Sequence, residues 1–60
     1  MPHAGRAATL RRLDGRQVAV YLPAREVRRL ALARRWSAAD HRLVALGEAL
    51  YRALYPRSPP

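Results

Sequence analysis

The chain has 60 residues, and its 12 basic side chains, all arginine, stand against four acids for a formal net charge of +8. At this length there is room for one small core, and only about 60% of the unfolded surface becomes buried, so a lone copy lies near the stability threshold. The absence of cysteine excludes disulfides and thiolate zinc sites, no run approaches the roughly 20 apolar residues of a membrane span, and a 50% apolar content excludes a wholly disordered chain.

Residues 1–15 hold Arg6, Arg11 and Arg12 around mixed polar and apolar positions, without the continuous apolar stretch of a signal peptide. Asp14-Gly15 is a strong hairpin signal. A two-residue turn there, however, sets Arg11 opposite Val18 and Arg12 opposite Gln17, which leaves the first strand no apolar face. The segment therefore reads as a flexible basic arm, with the hairpin as the alternative.

Residues 16–55 form the predicted domain. From 17 to 22, Val18, Val20 and Leu22 alternate with Gln17, Ala19 and Tyr21, the period of a strand. Pro23 then suits the first turn of a helix, predicted over 23–35 in a stretch of Ala, Leu, Arg and Glu, with Val27, Leu30, Ala31 and Arg34 on one stripe. Ser37, followed three residues later by Asp40, caps a second helix over 38–55, although glutamate is the more usual partner in a capping box. Ala39, Leu43, Leu46, Gly47, Leu50, Ala53 and Leu54 make its apolar stripe, and Val44, Tyr51 and Tyr55 widen it beyond what one neighbouring helix covers. Gly47 predicts a close helix crossing. Residues 56–60 read as a proline-rich mobile tail.

Charge is segregated along this plan. The first 36 residues carry nine arginines against Asp14 and Glu26, whereas residues 37–55 carry two of each sign. Codon bias explains the use of arginine for lysine, but it does not explain the excess of base over acid, which points to a polyanionic partner.

The strand ending in Leu22-Pro23, the arginine-rich helix with Val27 and Leu30, and the Ser37-capped helix carrying Leu43 to Leu54 resemble the ribbon-helix-helix (MetJ/Arc-like) family of DNA-binding proteins. The resemblance covers roughly residues 16–55. It departs from the family in lacking a glycine between the helices and in a shorter Pro23-to-Ser37 span. It implies a mainly α fold with one short strand, in an intertwined homodimer whose strands pair as an intermolecular antiparallel β-ribbon in the major groove. The implied dimer core is Val18, Val20, Leu22, Val27, Leu30, Leu43, Leu46, Gly47, Leu50 and Leu54.

By the same resemblance Gln17, Ala19 and Tyr21 contact base edges, glutamine being suited to adenine and alanine to the thymine methyl. Tyr21 has the alternative of packing across the ribbon. Arg6, Arg11, Arg12, Arg16, Arg25, Arg28 and Arg29 are candidates for phosphate, as are the amides of Ser37, Ala38 and Ala39 at a positive helix end.

His3 and His41 have no neighbouring ligands that suggest a metal, and the four carboxylates form no catalytic arrangement, so neither an enzyme nor a cofactor is expected. The expected function is sequence-specific binding of double-stranded DNA by a cytoplasmic homodimer, a small prokaryotic, plasmid or phage transcriptional repressor. No membrane or small-molecule substrate is expected. The alternatives are a basic module for RNA or an acidic protein, and the DNA-binding half of an antitoxin.

Overall fold

Asp14-Gly15 does turn a hairpin, by a route that changes its register. The computed structural model describes residues 5–56. In it the Arg12 amide donates to the Arg16 carbonyl (2.7 Å), and the Gly15 amide donates to the Arg12 carbonyl (2.8 Å). Leu13, Asp14 and Gly15 therefore form a three-residue loop. Gly15 has φ +89°, the left-handed conformation that such a loop requires. Asp14 Oδ1 accepts from the Arg16 amide at 3.0 Å and braces the turn.

The extra loop residue shifts the pairing by one position from the two-residue case. Strand β1 (Gly5–Arg11) runs antiparallel to β2 (Gln17–Pro23), with Leu10 opposite Val18, Ala8 opposite Val20 and Arg11 opposite Gln17. A shift of one exchanges the faces of a strand, and here it turns Leu10 inward to 2% exposure. The expected flexible arm is thus corrected over residues 5–15, which are strand and turn; residues 1–4 lie outside the described residues, as do 57–60 of the expected tail. β2, expected to find its partner on another chain, is paired within its own.

Helix α1 (Ala24–Leu32) follows Pro23 directly. It ends three residues before the expected boundary, and Ala33 is extended. The cause is Trp36, whose indole N–H donates to the Leu30 carbonyl at 3.1 Å. A helix end leaves carbonyls without partners, and the indole satisfies one of them while its ring enters the core. Of the expected stripe, Val27 and Leu30 are buried, whereas Ala31 and Arg34 are exposed.

Helix α2 (Ala38–Leu54) begins with a complete capping box, Ser37 Oγ accepting from the Asp40 amide and Asp40 Oδ2 from the Ser37 amide, each at 3.1 Å. Aspartate therefore fills the role usually given to glutamate. The helix lies along β2, while α1 packs on β1 and the nearer part of β2. The core is Leu10, Val18, Val20, Leu22, Val27, Leu30, Trp36 and Val44.

Gly47 marks a close approach, but of helix to strand. A Cβ built there would stand 2.6 Å from Leu22 Cγ. The expected helix crossing at this glycine is therefore corrected to a helix-strand contact. The wide apolar arc of α2 is accordingly divided: Val44 and Gly47 are buried against the sheet and Leu43 is half-buried, whereas Leu46, Leu50 and Leu54 remain exposed. Those three, expected in a dimer core, contribute little to the core of the single chain. The order, a two-stranded antiparallel sheet followed by two helices, is compatible with a ribbon-helix-helix layout.

Candidate nucleic-acid interface

Alternation along β2 sends Val18, Val20 and Leu22 into the core and leaves Gln17, Ala19 and Tyr21 on the outer face of the ribbon. Residues directly opposite in an antiparallel pair share a face. The register therefore sets Arg11 beside Gln17, Thr9 beside Ala19 and Ala7 beside Tyr21. Thr9 and Arg11 belong to the outer face, and the sequence reading missed Thr9 because it took this segment for an arm.

The three expected base-reading residues share this face but are not equally free. Gln17 is exposed, whereas Ala19 and Tyr21 are half-buried. The ring of Tyr21 lies over Gly5, where any Cβ would collide with it. Tyr21 therefore packs across the ribbon, and its phenol oxygen is the part left for a polar contact. An open groove runs beside Gln17 and Ala19, walled by Tyr51 and Arg52 of α2 and by Tyr55 just past its end. The two tyrosine rings are stacked at a tilt, with centroids 4.8 Å apart. Neither ring was placed near the ribbon by periodicity, because the crossing of α2 over β2 is a tertiary fact.

Arginines stand at both ends of the ribbon. Arg12 and Arg16 close the turn, and at the other end Arg6, opposite Leu22, borders an open groove with Arg25, Arg28 and Arg29 of α1. Among the described residues only Arg29 and Arg52 are ion-paired, Arg29 with Glu26 (2.8 Å) and Asp40 (2.9 Å), and Arg52 with Glu48 (3.0 Å). With Asp14 bonded to the turn, all four acids have work inside the fold, and most of the positive charge is left unopposed.

Two expected phosphate contacts are changed by this arrangement. Hydrogen bonds donated to Asp40 and then to Glu26 push the Arg29 guanidinium above its ordinary pKa, and the same bond from Arg29, seconded by the Ser37 amide, holds the Asp40 carboxyl below its ordinary 3.8. Arg29 thus joins α1 to α2. At the start of α2 the Ser37 amide is already taken by the helix's own carboxylate, since Asp40 accepts there and brings a negative charge to the helix end that a phosphate would seek.

Among the described residues no helix is long and apolar enough to cross a membrane. The chain matches no protein-family model, no curated protein and no solved structure.

Proposed function

We propose that this chain binds double-stranded DNA by laying the outer face of its β-ribbon in the major groove, in the manner of a ribbon-helix-helix protein, and that it acts as a small repressor by occupying a promoter. The observation that carries this reading is the composition of that face. It has Gln17, Thr9 and Arg11 for hydrogen bonding and Ala7 and Ala19 to permit close approach, with Arg12 and Arg16 beside it at the turn. Two strands about 4.8 Å apart fit a groove about 12 Å wide. Gln17 and Arg11 are the side chains for base edges, while Arg6, Arg12, Arg16, Arg25 and Arg28 track phosphate.

The test is fluorescence anisotropy of the full chain with mixed-sequence and selected duplexes over a salt series. Affinity should fall steeply with salt, since each neutralised phosphate releases close to one counterion. Gln17→Ala should lose preference among sequences while keeping most non-specific affinity, and Arg12→Ala should weaken all duplexes alike. No duplex binding at about 50 mM salt sinks the proposal. Preference for single-stranded RNA or for an acidic protein would transfer the arginines to those partners.

A further inference from the structure

Three leucines of α2 face solvent in a line. Leu46, Leu50 and Leu54 are 59%, 44% and 52% exposed at four-residue spacing, and half-buried Leu43 extends the line toward the helix start. Val44 and Gly47, on the neighbouring face, already hold α2 to β2, so the line is surplus to the chain's own core. Single apolar side chains are ordinary on a surface; an aligned row of them marks a contact.

The distribution of charge indicates what covers it. α2 carries Asp40, Arg42, Glu48 and Arg52, two of each sign, so the whole formal +8 lies elsewhere in the chain. Asp40 and Glu48 are moreover tied to Arg29 and Arg52. Two copies meeting through their arginine-bearing surfaces would repel one another, whereas two copies meeting through α2 would not. An acidic partner would be drawn to the arginines and away from this helix.

We propose that a second copy of this chain covers the leucine line, α2 against α2. The helices run antiparallel about a two-fold axis between Leu46 and Leu50, so that Leu46 of each copy packs beside Leu50 of the other. Such an interface is self-complementary and closes at two copies, and the antiparallel arrangement opposes the helix dipoles. Each copy keeps its own ribbon. The dimer is joined by helices rather than by a strand shared between chains, and the inference stands independently of DNA binding.

Sedimentation equilibrium of the full chain at roughly 100 μM tests it, a range in which micromolar association is visible. The expected mass is twice the 6.8 kDa of one chain. Association should tighten with salt, as screening relieves the repulsion between copies. The double variant Leu46→Glu, Leu50→Glu should be monomeric with an unchanged circular dichroism spectrum. Should that variant fail to fold, Leu50→Ala, which preserves helix propensity, should weaken the dimer roughly tenfold or more. Leu13→Glu, an exposed leucine in the hairpin loop, should leave the dimer intact.

A wild-type monomer up to about 0.5 mM overturns the inference. So does a dimer indifferent to the changes at Leu46 and Leu50. The two proposals fail separately: a monomer that binds duplex refutes only the dimer, and a salt-tightened dimer that ignores duplex refutes only the DNA reading.

Discussion

The outer face of the ribbon and the outer face of α2 are both open to solvent, yet they are made of different materials. The ribbon presents Gln17, Thr9, Arg11 and small alanines, with no large aliphatic side chain. α2 presents Leu46, Leu50 and Leu54, and its two acids are bound to arginines. Exposure alone therefore says little about use. What separates the two faces is where charge has been left unpaired and where apolar surface has been left uncovered, and a fold with eight core side chains among the described residues has done both at once.

The sharpest way to break this comparison is to remove the ribbon. Leu10→Ala should cost about 2–5 kcal/mol, because Leu10 is the one large apolar side chain that β1 buries. Chemical denaturation measures the loss; an unchanged midpoint would return residues 5–11 to a loose arm. Gly47→Ala sharpens the comparison at the point where α2 meets the ribbon. Alanine is the better helix former, yet its Cβ would meet Leu22, so a net loss of about 1–3 kcal/mol is expected. A gain in stability would mean that the two elements can part at little cost.

Ser37→Ala removes only the cap of α2, and should cost about 1 kcal/mol in thermal unfolding with the ribbon untouched. The smallest effect is that of pH. The folded Asp40 carboxyl titrates below its ordinary 3.8, so its contribution is complete above that value and is lost as pH falls through the folded pKa. Acid titration of Asp40→Asn should accordingly show a flatter fall in stability than the parent below about pH 4. Equal slopes would mean that the link from Arg29 to Asp40 is not carrying the difference.

Strand β2 and helix α2 were legible in the sequence because their signals are local: strict alternation from Gln17 to Leu22, and a serine with an acid three residues on. β1 was not. Its inward positions are Arg6, Ala8 and Leu10, a pattern with one large apolar residue, and its face depends on whether Leu13 belongs to the loop or to the strand. Counting the turn as two residues reversed that face and hid the hairpin. The early end of α1 was hidden for another reason, since a helix former at every position cannot reveal that an indole six residues beyond Leu30 will take its carbonyl.

The apolar arc of α2 was seen at its full width, but its division was not, because periodicity gives the width of a stripe and not which edge the sheet will cover. The candidate site followed the same rule. Gln17, Ala19 and Tyr21 were identified as one face from alternation alone, whereas Thr9, Tyr51 and Tyr55 reach its neighbourhood only through pairing and packing.

Trp36 is the only tryptophan in the chain, it is 7% exposed, and its ring stands edge-on to His41 with centroids 5.4 Å apart. The molecule thus carries a native fluorophore at the corner where α1 stops and α2 starts. Its emission therefore follows the closing of the one core that the ribbon's Leu10, Val18, Val20 and Leu22 share with the two helices, and an optical signal from this one ring reports whether sheet and helices have come together.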